Sequence, residues 1–385
     1  MLRFLTAGES HGESLIAILE GLPAGLEVGS SQINAELAKR QKGYGRGKRM
    51  EIESDRVEFF SGLRGGRTLG SPLAMRIRNR DWENWKDTMD PEGRNREARS
   101  VTSPRPGHAD LAGGIKYGHK DLRNILERAS ARETAARVAV GAVAKALLDR
   151  CGVTVGGHVV SIGGSSPSRA EFARPMEGAA AETSPVRCID GSAEKEMVKL
   201  IDKAVEDGET LGGVFEIKVF DVPVGLGSHV HWDRRLDSDL ASAVMSIPAI
   251  KGVQIGSGFR GAELPGSTVH DAIFHDKVNG FYRETNNAGG IEGGISNGET
   301  IILSAAMKPI PTLMSPLGSV HFLSKRKVDA AVERSDVTAV PAACVIGESM
   351  VAFVLAKHMC EKFGGDSMDE MLKNLEAYKS YVKKL

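Results

Sequence analysis

The sequence predicts an α+β fold, a β-α-β sandwich with a helical core layer between two largely antiparallel sheets. Residues 135–148 and 339–363 are almost entirely apolar, and a helix that is hydrophobic on every side belongs inside a protein with other elements packed around it. Strand candidates punctuated by Gly and Pro, at 155–163, 214–222, 268–274 and 299–307, supply those surroundings. Strand and helix do not alternate at the spacing of a dinucleotide-binding parallel sheet.

At 385 residues the chain is long enough to bury a sizeable core. Lys+Arg and Asp+Glu both number 50, so no overall field draws nucleic acid or a membrane surface. Any anion must be held by local clustering. The four cysteines, Cys151, Cys188, Cys344 and Cys360, form no CxxC or Cys/His spacing, and no metal site is expected. The N-terminus has neither a signal-peptide nor a transit-peptide composition, and no apolar run is read as reaching the ~20 residues of a membrane span. A cytoplasmic location is expected.

In chain order, residues 2–6 and 15–19 read as strands flanking Thr6-Ala7-Gly8-Glu9-Ser10-His11-Gly12. Its glycines let backbone approach a ligand, and Ser10 sets a hydroxyl beside an imidazole that ordinarily titrates near neutrality. Taken alone, the stretch is either a strand-end turn or a catalytic loop. After a turn at residues 22–25, Ile33, Leu37 and Ala38 mark a helix over 31–41, with Ser30 or Ser31 as N-cap. The helix runs into residues 39–49, where six cations and three glycines in eleven residues predict a mobile surface loop. Such a loop suits an RNA-binding arm or a phosphate-bearing small molecule. One short cluster in a neutral chain favours the small molecule.

Residues 57–61 and 73–78 read as strands, Leu73, Met75 and Ile77 alternating with polar or small neighbours, joined through a hairpin at 62–67. A long loop over 81–103 leads to Arg105-Pro106-Gly107-His108-Ala109-Asp110, where a second histidine arrives between opposite charges. The first apolar helix is entered through Arg128-Ala129-Ser130-Ala131-Arg132-Glu133-Thr134, the second through Glu333-Arg334-Ser335-Asp336-Val337-Thr338. The glycine-rich residues 289–298 form a phosphate cradle or a hairpin tip. A strand follows them instead of a helix, so they are not a dinucleotide fingerprint. Several arginines with two histidines fit a small substrate bearing carboxylates and a phosphate, with imidazole as general acid.

Six stretches in order carry a resemblance: Gly8-Glu9-Ser10-His11-Gly12, Arg105 to Asp110, Ser130 to Thr134, residues 286–294, Lys308-Pro309-Ile310-Pro311-Thr312 and Arg334-Ser335-Asp336. Together they resemble the chorismate synthase family from end to end, as a single domain over 1–385. The resemblance implies a carbon–oxygen lyase of the shikimate pathway and aromatic amino acid biosynthesis, EC 4.2.3.5. Its reaction is the anti-1,4-elimination of phosphate from 5-enolpyruvylshikimate 3-phosphate, giving chorismate with reduced FMN and no net redox change. It also implies the layered fold above and a homotetramer.

By that resemblance His108 protonates the departing phosphate, and His11 is an acid at the flavin N1/C2 carbonyl region. Asp336 relays the ring proton through flavin N5, and Ser10 and Ser130 hold the hydrogen-bond network. Arg46, Arg49, Arg105, Arg132 and Arg334 clamp the substrate. FMN contacts fall on Arg128, Ala129, Ser130, Pro248, Ala249, Gly293, Lys308, Pro309, Ile310, Pro311, Thr312 and Arg334, and nicotinamide nucleotide contacts on Arg40 and Arg46. The stretch reads Arg-Ala-Ser where many relatives have Arg-Ser-Ser, so one hydroxyl is missing, and Pro248 stands where relatives vary. NADPH as reductant and an external flavin reductase are both compatible; the lack of spare length for a reductase domain favours externally reduced FMN. The competing readings are another phosphate lyase or flavoprotein, and an RNA-binding protein using residues 39–49.

Overall fold

The structure, a computed structural model, describes residues 1–47, 54–93, 99–167, 181–278, 280–333 and 336–385. Strands β1 (Arg3–Ala7), β2 (Ser14–Glu20), β3 (Val57–Ser61) and β4 (Leu73–Arg78) form one sheet in the order β1-β2-β4-β3. A second sheet takes β5 (Thr154–Ile162), β6 (Gly213–Phe220), β7 (Ile250–Ile255) and β8 (Ile301–Met307) in the order β5-β6-β8-β7. Every neighbouring pair in both is antiparallel. Period-2 patterning decides which face each strand buries: Leu73, Met75 and Ile77 point into the core while Arg76 and Arg78 bind Glu58 outside it.

The helices are α1 (Ser30–Gln41), α2 (Asp110–Tyr117), α3 (Arg123–Ala129), α4 (Thr134–Arg150), α5 (Gly191–Asp207), α6 (Leu236–Met245), α7 (Val340–Phe363) and α8 (Met368–Val382). The apolar pair α4 and α7 pack along each other. Gly141 makes the close approach possible, since a Cβ there would lie 2.2 Å from the Ser349 Cβ. Helix α4 also packs on β2, β4 and β5, and α7 on β5 and β6. Phe353 of α7 meets Phe4 of β1 edge to face, with 4.7 Å between centroids. The molecule is thus a mixed α+β structure of several antiparallel sheets with helices packed against them.

Four expectations are corrected. The α1 cap is Gly29, extended at φ −123 and with no side-chain hydrogen bond, so Ser30 and Ser31 are already helical. Residues 268–274 are not one strand: Gly266–Val269 is a helical turn, and the strand begins at Ile273. Lys39, Arg40 and Gln41 are the last turn of α1, where Arg40 is buried, so the chain leaves the helix only at Lys42. Helix α7 is long and apolar enough to cross a membrane, with a mean hydropathy of 1.6, yet 94% of that stretch is buried inside the protein.

Candidate active site

The loop between β1 and β2 folds back on itself at Gly8, whose φ of +107 favours glycine and whose missing Cβ would lie 2.4 Å from the Ser14 carbonyl. It docks on the C-terminal end of α3. Ser10 N–H donates to the Glu127 carbonyl at 3.0 Å, using one of the acceptors that a helix end leaves open. His11 N–H donates to Glu127 Oε2 at 2.8 Å, and His11 Nδ1 lies 2.9 and 3.0 Å from the two carboxylate oxygens. The imidazole stacks on Trp85, with 3.8 Å between centroids. Burial would raise the Glu127 carboxyl, but hydrogen bonds from His11 and from Arg123 outweigh it and hold it below the usual carboxylate range.

Asn79, at the end of β4, joins this loop to the arginines. Its amide donates to the Gly12 carbonyl at 2.6 Å, and its own oxygen accepts from Arg132 Nε at 2.9 Å. Arg132 Nη1 is 2.6 Å from Asp55 Oδ1, and Arg40 Nη1 is 3.6 Å from Asp55 Oδ2. Arg40 also donates to Thr134 Oγ1 and to the Ala131 carbonyl, at 3.0 and 3.1 Å. Burial foremost, opposed by Asp55 but reinforced by Arg132 and Arg46, brings Arg40 down to about 10. Arg46 Nη1 lies 3.0 Å from Asp336 Oδ2, and the other Asp336 oxygen accepts Gly47 N–H at 2.7 Å. Ser130 accepts the Arg132 N–H and so caps the turn that aims Arg132.

A second set gathers around Asp110. Arg105 reaches both of its oxygens, at 2.8 and 3.1 Å, and His108 Nδ1 is 2.6 Å from Oδ1. Although burial opposes ionisation, His108 and Arg105 hold the Asp110 carboxyl far below its usual range. Arg105 Nη1 donates to Thr312 at 3.1 Å, and Lys308 Nζ to the Gly107 carbonyl at 3.0 Å, so the two distant motifs meet. Burial, then Lys251, lowers the Lys308 ammonium. Lys308 N–H in turn donates at 2.9 Å to the carbonyl of Ala249, a non-glycine residue at φ +69 that follows Pro248. An open cleft of about 830 Å³ lies beside Arg105, walled by Leu111 and residues 318–320 and 327–329.

The remaining expected positions divide. Arg128 donates to the Gly8 and Thr6 carbonyls at 3.0 Å, fastening the end of β1 beside Ala129 and Ser130. The glycine-rich stretch is a hairpin tip: Ile291–Glu292 pairs with Ile295–Ser296 across Gly293 and Gly294, both at positive φ. A Cβ on Gly293 would meet nothing within 4 Å, so that backbone is open to a ligand. Pro309, Ile310 and Pro311 form the connection after β8, with the Ile310 carbonyl accepting from Thr210 at 2.7 Å. Arg49 and Arg334 lie outside the described residues, as does Lys48 of the basic stretch.

Glu127, Trp85, Asn79 and Asp55 escaped sequence reasoning. Glu127 alone carried a signal, as an acid directly before Arg128-Ala129-Ser130; the others stand in no motif. An anionic cofactor and substrate fit the arginine set. Arg46 Nε and Arg40 Nη1 are buried without a hydrogen-bond partner among the described residues, and buried guanidinium nitrogens of this kind call for phosphate or carboxylate oxygens.

A family profile described as chorismate synthase matches residues 2–360. The chorismate synthase of Pelobacter propionicus is 57% identical over 394 residues, and that of Moorella thermoacetica 58% over 386, each comparison covering 100% of both chains. A crystal structure of chorismate synthase superposes with a TM-score of 0.81 at 47% identity, covering 100% of this chain and 99% of the other. The family's lyase reaction, EC 4.2.3.5 of the shikimate pathway, takes 5-enolpyruvylshikimate 3-phosphate to chorismate and uses reduced FMN. On likeness along its whole length, the chain belongs to the chorismate synthase family.

Proposed function

We propose that this chain's chorismate synthase activity, the anti-1,4-elimination of phosphate, rests on the two side-chain sets gathered around Glu127 and Asp110. The observation that carries the proposal is that each histidine faces a buried carboxylate while Arg46 Nε and Arg40 Nη1 lie buried without a hydrogen-bond partner among the described residues. Ionised Asp110 holds the His108 ring through Nδ1, and His108 is the acid that gives a proton to the departing phosphate. His11, paired with Glu127, is the acid at the flavin N1/C2 carbonyl region. Asp336 serves the path of the ring proton, its carboxylate oriented by Arg46 and Gly47 N–H. Ser10 and Ser130 hold the backbone that carries His11 and Arg132.

Arg46, Arg105 and Arg132, with Arg49 and Arg334, clamp the substrate's carboxylates and phosphate. Arg128, Ala129, Ser130, Pro248, Ala249, Gly293, Arg334 and Lys308 to Thr312 would hold the cofactor. Reduced FMN, when bound, supplies the electron chemistry of C–O cleavage with no net oxidation. Arg40, engaged with Thr134 and Ala131, backs Arg46 where NADPH binds.

We also read α4 and α7 as the middle layer of a β-α-β sandwich, with residues 1–385 one catalytic unit; both helices touch strands of both sheets. A homotetramer in the cytoplasm completes the proposal, supported by exposed Ile273 and Phe281 on the hairpin of Ile273–Asp276 and Gly280–Arg283. Anaerobic assay with reduced FMN is expected to release chorismate and phosphate. Substrate left intact beside an active relative would overturn the proposal. Oxidation of NADPH with FMN and no added reductase would show that the chain reduces its own flavin, against our expectation of external reduction.

A further inference from the structure

We infer that Glu127 is a positioning residue for the reaction: it orients the His11 imidazole and fixes which ring nitrogen carries hydrogen, with Trp85 as the surface against which the ring lies flat. Three bonds converge on this one residue. Its carbonyl takes Ser10 N–H, and its carboxylate takes both the His11 N–H and His11 Nδ1. A backbone N–H and a ring nitrogen bonded to one carboxylate leave the side chain little freedom about χ1 and χ2. Stacking on Trp85 at an interplanar angle of 25° removes most of the remainder.

The charge of this pair is set locally. Glu127 is 2% exposed, so its carboxylate acts on His11 with little screening by water. Arg123, one turn earlier on α3, donates to Glu127 Oε1 at 3.1 Å and keeps that carboxylate ionised. An ionised carboxylate facing Nδ1 requires that nitrogen to carry hydrogen, which leaves Nε2 as the ring nitrogen not held by Glu127. Arg123 and Arg99 lie over the Trp85 ring, at 5.1 and 4.1 Å from its centroid, and the hydrogen at Nδ1 depends on the Glu127 charge. Glu127→Gln keeps the shape and removes that charge.

The inference rests on His11 being the acid, and the experiment separates the two. His11→Ala, Glu127→Gln and the double variant are compared in anaerobic turnover with reduced FMN. Glu127→Gln is expected to lower kcat about tenfold or more, within the ~10²–10⁴-fold that a positioned acid contributes, with KM little changed. In the His11→Ala background, Glu127→Gln should cost nothing further. Full additivity in the double variant overturns the positioning role. Normal turnover of His11→Ala would instead remove His11 from the mechanism. Should Glu127→Gln not fold, ¹⁵N-histidine spectra of the full chain decide: Nδ1 of His11 carrying hydrogen at pH 8 supports the inference, and a bare Nδ1 refutes it.

Discussion

Helix α1 feeds two buried ionic networks one turn apart, and they are built differently. Glu36 and Lys39 belong to a ring of alternating charge. Lys39 is 2.7 Å from Glu36, Glu36 2.6 Å from Lys145, Lys145 2.7 Å from Glu348, Glu348 2.7 Å from Arg187, and Arg187 2.6 Å from Glu182, which closes on Lys39 at 3.7 Å. The ring ties α1, α4, α7 and the chain near residue 187 around a cavity of about 300 Å³. One nitrogen, Arg187 Nε, lacks a hydrogen-bond partner among the described residues, but the signs balance. Four residues after Glu36, Arg40 enters the other network, where it, Arg46 and Arg132 face Asp55 and Asp336. The ring neutralises itself, whereas the site keeps positive charge over for an anionic ligand. Burial of charge therefore does not by itself mark function; uncompensated buried charge does.

The largest effect that would test this division is on stability. Glu348→Ala removes a carboxylate shared by Lys145 and Arg187, and stranding buried cations should cost about 3–5 kcal/mol in urea unfolding. Turnover per folded molecule should stay near that of the parent. A variant that kept its stability and lost turnover would erase the distinction.

The site should respond in the opposite sense. His108→Ala and Asp336→Ala are each expected to lower kcat per folded molecule by at least ~100-fold. Near-normal kcat in either variant would remove that residue from the mechanism. Arg46→Ala follows as a smaller effect, raising KM more than it lowers kcat, because the role proposed for Arg46 is to clamp the substrate and not to donate a proton.

These contrasts also show what a linear reading of the chain reveals. Helices α4 and α7 were legible because nearly every residue in them is apolar, and β4 because Leu73, Met75 and Ile77 alternate. The motifs carrying His11, His108, Arg132 and Asp336 were legible as compact strings of unusual composition. Glu127, Trp85, Asn79 and Asp55 were not, since each is an ordinary polar or aromatic residue whose partner lies 53 to 116 positions away or in another loop. Lys145 and Glu348 were hidden the same way, as single charges flanked by apolar and small residues within their helices. Residues 268–274 misled because Thr268, Val269, Ile273 and Phe274 are strand-forming residue types, while the Pro265 carbonyl accepts N–H groups of residues 268 and 269 and starts a helical turn there.

A third effect concerns acid. Burial would raise Glu36, but Lys145 and Lys39 draw it down to about 2. Its folded pKa lies below its unfolded value, so its contribution to stability is present above the ordinary carboxylate range and lost as pH falls toward 2. Glu36→Gln should therefore flatten the fall of the thermal midpoint below about pH 4.5, the ordinary value for this carboxyl. An unchanged slope would mean the ring contributes no acid sensitivity through this residue.

The smallest expected effect separates the networks most directly. Inorganic phosphate, a fragment common to substrate and FMN, should bind the arginine site of the folded chain, because Arg46 and Arg40 hold buried nitrogens without hydrogen-bond partners among the described residues. At a concentration equal to its dissociation constant, a ligand specific for the folded state stabilises by about 0.4 kcal/mol. For a chain of this size that is a rise of about half a degree in the thermal midpoint, growing with further phosphate. The rise should shrink in Arg46→Ala, where one guanidinium is gone, and persist in Glu348→Ala, whose lost ring never held the anion. General salting-out by phosphate would raise both variants alike, so an equal rise in Arg46→Ala and the parent would show that the extra positive charge of the site does not select an anion.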